Sequence, residues 1–178
     1  MLGKKRVLGI DHSTKTLAFS LCSDGKIEYW EEIALNGDSV YERLGDLYLK
    51  LENRFENENI DVLVIEKTAR VNSNDAVIKL GFIAGAIISY FAAKGTKIFE
   101  TPALSWQSAT AKPTLNKQDK LALRTKNPGR LRSWYKNEER KIRKQRIIDW
   151  VSQELGIVAP SDAADSICIS YFGDKVLT

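Results

Sequence analysis

Four carboxylates in this chain stand where a metal ion could draw on them. Asp11 closes the apolar run VLGI, Glu66 closes DVLVI, and Asp162 and Asp165 stand three apart in SDAADSICIS. On a helix, side chains three apart project from nearly one face, so the last two would present their carboxylates side by side. Gathered carboxylates repel one another and cost stability unless a cation neutralises them. Oxygen donors of this kind suit Mg²⁺ or Mn²⁺. Two such ions about 4 Å apart can activate a water and stabilise the leaving oxygen of a phosphodiester. Each acid alone also has a structural reading. Asp11 fits a turn, Glu66 an ion pair with Lys67 or Arg70, and Asp162 an N-cap or first-turn acid favoured by the helix dipole.

The elements that must position these acids are legible in outline. KRVLGID and TLAFSLCS read as strands, the second ending at the turn Asp24-Gly25, and KIEYWEEIAL alternates as a third; three consecutive strands with short turns predict an antiparallel meander. From Ser39 the period turns helical through Leu44, Leu47, Leu51 and Phe55, ending near Asn57 to Asn59. DVLVIE is an apolar strand buried on both faces. A helix over 75–93 follows, closed by Lys94-Gly95, and then TKIFET, a fifth strand ended by Pro102. Asn137 would cap a helix over 137–155 that Gly156 ends, and a last helix covers 161–171. The expected fold is α/β: a five-stranded mixed sheet, strands 1–3 antiparallel, with helices on both faces. Ligand sites in such sheets lie beyond the carboxyl ends of the strands, where Asp11 and Glu66 stand. A chain of 178 residues suits one domain over 1–178.

Charge is unevenly spread. The net charge is +4, yet residues 112–146 hold 13 of the 27 Lys and Arg and only 3 of the 23 Asp and Glu. One basic segment on an otherwise acidic domain suits a polyanion, beside the plainer reading of a solvated charged loop. Its part 112–137, with Pro113, Pro128 and Gly129, lacks periodicity and reads as a basic loop or insertion, with Trp134 and Tyr135 interleaved. Arg140, Lys141, Arg143, Lys144 and Arg146 crowd the N-terminal half of the following helix, where the dipole disfavours cations and a phosphate would compensate them. Cys22 and Cys168 form no CxxC, so neither a zinc site nor a disulfide framework is expected. The single histidine, His12, excludes multi-histidine metal sites. The longest apolar run, FIAGAIISYFAA, falls short of the roughly 18 residues of a spanning helix and suits a buried helix or a subunit contact. Neither a membrane nor a nucleotide cofactor is expected, the N-terminus lacks a signal-peptide pattern, and the two separate cysteines suit a reducing compartment.

LGIDHS, LVIEK, KLGFIAGAI, TPALSW and SDAADSICIS, in that order and spacing, resemble the RuvC-type Holliday junction resolvases of the RNase H-like nuclease superfamily. The resemblance spans almost the whole chain. It implies an RNase H-like fold and a homodimeric crossover junction endodeoxyribonuclease that makes paired symmetric cuts in four-way DNA junctions. It implies two Mg²⁺ per site, with Mn²⁺ as a substitute, and Asp11, Glu66, Asp162 and Asp165 as catalytic ligands. Asp11 would bridge the ions. The residues expected on DNA are Arg70, Lys117, Arg130, Arg132, Lys141, Arg143 and Lys144, with Trp134 and Tyr135 stacking on an unpaired base. The helix 75–93, with Gly81, Gly85, Ala86 and Ala92, is the expected dimer surface.

The chain departs from the family pattern in several places. His12-Ser13 replaces the common Pro-Gly, which points to a divergent phage-type branch, implies a bacterial or phage-infected cytoplasm, and gives His12 a supporting or DNA-contacting role. Ala69 stands where an aromatic wedge is common, leaving Arg70 or Asn72 to act there. Trp106 replaces a lysine, and the family's other lysine falls at Lys144. Three other readings compete: a superfamily nuclease acting on RNA–DNA hybrids or on branched DNA generally, an actin-like ATPase fragment suggested by GIDHSTKT, and a junction-binding protein without catalysis. The ATPase reading needs a second domain for which 178 residues leave no room.

Overall fold

Alternation along each strand decides which side of the sheet a residue serves. In β1 (Val7–His12) and β2 (Thr16–Ser23), Leu8, Ile10, Leu17, Phe19 and Leu21 face one layer, with Leu63 and Ile65 of β4 (Val62–Glu66). Val7, Val62 and Val64 face the other. β3 (Lys26–Ala34) and β5 (Lys97–Thr101) form the edges of the order β3-β2-β1-β4-β5. β1, β2 and β3 pair antiparallel, while β4 runs parallel to both β1 and β5. This is the expected five-stranded mixed sheet. The computed structural model describes residues 5–68 and 73–177.

The first layer is covered by α1 (Val40–Phe55) and α2 (Asn74–Ala93). A capping box between Ser39 and Glu42 starts α1. Val40, Leu47, Leu51 and Phe55 of α1 meet Ile83, Ile87, Tyr90 and Phe91 of α2 in one apolar cluster on the sheet. Against the expectation of a run too short to span, α2 is by length and composition able to cross a membrane, with a mean hydropathy of 1.9 over 18 residues, 17% of them buried; Ile83, Ile87, Tyr90 and Phe91 are its buried residues.

The second layer holds α3 (Ala103–Ala109), α4 (Lys117–Lys126), α5 (Arg132–Leu155) and α6 (Ser161–Leu177). α6 lies directly on β1 and β2. A Cβ on Gly9 would sit 2.3 Å from the Ser170 nitrogen and 2.6 Å from the Ser166 carbonyl oxygen, a space only glycine leaves open. Ser20 donates to the Ser166 carbonyl at 2.9 Å and shares a 2.6 Å hydrogen bond with Ser170. At the far end, the Asp174 carboxylate accepts from the Asp24 and Gly25 amides at 3.2 and 2.7 Å. Those two residues have φ of 55° and 71°, the double left-handed turn that suits a tight hairpin. α6 is thus fixed along its length to the meander.

Four elements depart from expectation. Residues 112–137 are mostly helical rather than a loop. α4 begins with a capping box between Asn116 and Asp119 and buries no residue, so it shows no apolar period. α5 begins at Arg132, five residues before the expected start, with Asn137 inside the helix. Leu131, its N-cap, makes no side-chain capping bond, so the usual start signal is missing. α3, only seven residues long, is too short for periodicity, and α6 runs on beyond Tyr171 to Leu177.

Candidate active site

Parity puts two of the acids on one surface. Asp11 follows Gly9 by two residues, and Glu66 follows Val64 by two, so both point to the α6 side. Ile10 pairs with Ile65 in the parallel register, so the two acids emerge at the same level of neighbouring strands. α6 then supplies Asp162 and Asp165 from its first two turns. Asp11, Asp162 and Asp165 each place a carboxylate oxygen within 4.8 Å of the other two. Glu66 stands beside this trio, and its Oε2 accepts a hydrogen bond from the buried Trp106 indole at 2.8 Å. All four acids line one cleft of about 480 Å³, with His12, Trp106, Arg140, Arg143 and Lys144 among its walls.

The electrostatics are those of crowded, partly desolvated acids. Burial, then the charges of Asp165, Glu66 and Asp162, push the Asp11 carboxyl up to about 8 against the pull of Lys144. Burial likewise raises Asp165 to about 7, opposed by Lys144 and reinforced by Asp162 and Glu66. Burial raises Glu66 as well, and the Trp106 hydrogen bond works against it. Of the cleft's cations Lys144 pairs directly with the cluster: its ammonium donates to Asp162 at 2.6 Å and lies 3.9 Å from Asp165. Asp165 Oδ1 is buried without a hydrogen-bond partner. An all-carboxylate donor set, an orphaned oxygen and raised carboxyl pKa values together fit a hard divalent cation.

His12 lines this cleft at the end of β1. Both of its ring nitrogens are buried without hydrogen-bond partners. Burial lowers its pKa to about 4, so the imidazole is neutral near pH 7. The following turn is closed by its own side chains: the Ser13 hydroxyl accepts from the Thr16 and Lys15 amides at 2.8 and 3.0 Å.

Solved structures share this architecture. Thermus thermophilus RuvC matches with a TM-score of 0.66 at 15% identity, over 97% of this chain and 97% of that one. T. thermophilus RuvC in complex with a Holliday junction substrate matches with a TM-score of 0.65 at 13% identity, over 94% of this chain and 91% of the other. The chain has the RuvC fold. The yeast mitochondrial Holliday junction resolvase Ydc2 is similar with a TM-score of 0.51 at 14% identity, covering 96% of this chain and 78% of that one. No family model and no curated protein matches the sequence.

Within this RuvC fold the other expected residues separate into groups. Arg143 and Lys144 line the cleft, and Arg140 joins them. Lys141 points away and pairs with Glu138 at 2.6 Å. Arg130 and Arg132 line a second pocket, with Lys120, Arg124, Tyr135 and Lys136. Lys117 is the exposed first residue of α4. Trp134 and Tyr135 meet edge to face at 5.3 Å, and the Tyr135 hydroxyl donates to the Asn127 carbonyl. Tyr135 therefore braces the α4–α5 hairpin. Ala69, Arg70 and Asn72 lie outside the described residues. The hydrogen bond from Trp106 to Glu66 had no signal in the sequence beyond the motif TPALSW.

Proposed function

We propose that this chain is a metal-dependent endonuclease that resolves four-way DNA junctions by paired symmetric cuts. One observation carries the reading: Asp11, Asp162 and Asp165 converge beside Glu66 on the floor of a cleft rimmed by Arg140, Arg143 and Lys144. Acids that would hold a cation thus face cations that would hold a phosphate. The fold shared with RuvC, solved with a Holliday junction substrate, supports a junction as the DNA.

Asp11, Asp162, Asp165 and Glu66 would hold two Mg²⁺ or Mn²⁺, which when bound supply an activated water and a stabilised leaving oxygen. The protein's own groups do the rest. Arg140 and Arg143 bind backbone phosphate by charge-assisted hydrogen bonds. Lys144 shields Asp162 and Asp165 before the cations arrive. Trp106 holds the Glu66 carboxylate in one orientation. His12, a neutral imidazole lining the cleft next to Asp11, plays a supporting role, since both of its ring nitrogens are buried.

Paired cuts need two sites, and a twofold dimer supplies them. α2 supports such a dimer, since Ile78 and Phe82 stand exposed on it, and a groove between α1 and α2 lies alongside, lined by Tyr48, Phe82 and Tyr90. The test incubates the protein with a synthetic four-way junction, a linear duplex and an RNA–DNA hybrid, each with Mg²⁺ or Mn²⁺. Paired symmetric nicks confined to the junction are expected. Asp11→Asn should slow them by about 10³-fold or more, roughly 4 kcal/mol of barrier, while junction binding persists. Equal or faster cutting of the hybrid or the linear duplex would refute junction specificity.

A further inference from the structure

The α4–α5 hairpin carries a second cationic concavity away from the acids. Lys120, Arg124, Arg130, Arg132 and Lys136 line a pocket of about 470 Å³ whose one carboxylate, Glu139, stands 3.8 Å from Lys120. Among the described residues, no carboxylate forms an ion pair with Arg124, Arg130, Arg132 or Lys136. Two of these cations are held in place by aromatic rings. The Arg124 guanidinium lies 5.9 Å from the centre of the Tyr135 ring, and that of Arg130 lies 5.4 Å from Trp134. The pocket also opens at the N-terminal end of α5, where the helix dipole works against cations. Mutually repelling cations, held in a concavity against the dipole, are arranged for an anion.

α5 links this pocket to the catalytic cleft. Arg132 and Lys136 line the pocket, and Arg140 and Arg143 line the cleft. At 3.6 residues per turn these four exposed cations fall within about 80° of the helix surface, and they run about 16 Å along its axis. That length corresponds to about 5 base pairs of duplex, at 3.4 Å per pair. We propose that the α4–α5 pocket is a backbone-phosphate clamp for the duplex arm leaving the catalytic cleft, so that the protein grips an arm about 5 base pairs from the cut. The clamp rests on the junction-nuclease reading but not on its metal chemistry.

The experiment uses the full chain and junctions whose arms are shortened from about 12 to about 4 base pairs, crossing the distance set by α5. Binding is measured without divalent metal and cleavage with Mg²⁺. The wild-type protein should lose about tenfold or more in affinity as the arms fall below about 5 base pairs. Arg124→Gln/Arg130→Gln/Arg132→Gln should bind long-armed junctions no better than the wild type binds short-armed ones. Its salt dependence should flatten by about 3 in slope. Lys136→Gln, a single change on an exposed helical face, should flatten it by about 1 and serves where the triple variant melts early. Variants that track the wild type at every arm length and salt concentration overturn the clamp while leaving the nuclease intact. Single-stranded arms that restore the length dependence as well as duplex arms also overturn it. A wild-type protein that binds and cuts no junction removes the nuclease reading and the clamp together.

Discussion

On one side of the sheet, α1 and α2 stand off on large side chains. Phe55 meets Phe19 and Phe91 edge to face at 5.0 and 5.2 Å, and the layer carries no acid of the cluster. On the other side, α6 rests on the strands through Gly9, Ser20, Ser166, Ser170 and Gly173, where a Cβ on Gly173 would come within 2.5 Å of Val64. The difference lies in how near the helix backbone comes to the sheet. Aromatic packing fills a wide layer and stabilises by area buried. Small-residue packing brings the backbone close enough for carboxylates on a helix to reach one on a strand end. The carboxylate cluster sits on the tightly packed face because that face can hold Asp162 and Asp165 against Asp11.

Glycine replacement probes this contrast most sharply. Gly9→Ala forces its methyl into the Ser170 and Ser166 backbone, so α6 must lift. The expected destabilisation is about 1–3 kcal/mol or more, read by urea unfolding. Cleavage should fall by about 10²-fold, the scale on which about 1 Å of misplacement acts. Gly85→Ala on α2 meets no atom within 4 Å and should instead stabilise the helix by about 1 kcal/mol. Its unfolding measured across protein concentrations also shows whether α2 is buried between subunits. Equal behaviour of the two variants would break the contrast between the faces.

The next largest effect is on pH dependence, and it belongs to the tightly packed face alone. Asp11 and Asp165 rise to about 8 and about 7 from an ordinary 3.8. The metal-free folded chain therefore holds more protons than the unfolded chain between about pH 4 and 8, so its stability falls as pH rises through that window. A divalent metal taken up by the deprotonated acids would reverse the slope. In chelator, the melting temperature should drop by several degrees from pH 5 to pH 8, at about 2–4 °C per kcal/mol, and Mg²⁺ should restore it. Asp11→Asn should flatten the drop. A chelated protein whose melting temperature rises across the window would show that the acids are not crowded as described.

The site was legible in the sequence wherever a short-range rule governed it. Short apolar, β-branched runs sufficed to put Asp11 and Glu66 at strand ends, and the spacing of Asp162 and Asp165 made them neighbours on a helix. The hairpin was not legible in the same way. α4 has a capping box but buries no side chain, and the first turn of α5, from Arg132, has no capping bond at Leu131, so no apolar period marks the first and no cap marks the start of the second. Charge alone hinted at that surface, and it reads the same in a loop or a helix. The division of labour among the acids was also hidden. Three of them gather within 4.8 Å, while Glu66 is held by an indole 40 residues away in the chain, a contact that only the folded sheet creates.

That indole offers the smallest and most specific test of the tightly packed face. Trp106 is 1% exposed and spends its one polar atom on Glu66 Oε2 at 2.8 Å. Trp106→Phe keeps an aromatic ring in the core but removes the donor, leaving that carboxylate oxygen without its partner. Burial already raises the Glu66 pKa and the indole opposes this, so the substitution should raise it further and make the acid a poorer ligand. Groups that orient a metal ligand typically matter about 10- to 100-fold. Cleavage by Trp106→Phe at limiting Mg²⁺ should therefore fall about tenfold, and higher Mg²⁺ or pH should recover part of the loss. Junction binding without metal should stay at the wild-type level, since no cation of the cleft rim is touched. A rate loss that neither metal nor pH relieves would assign Trp106 to packing alone, and the orienting role would pass to the Glu66 backbone in β4.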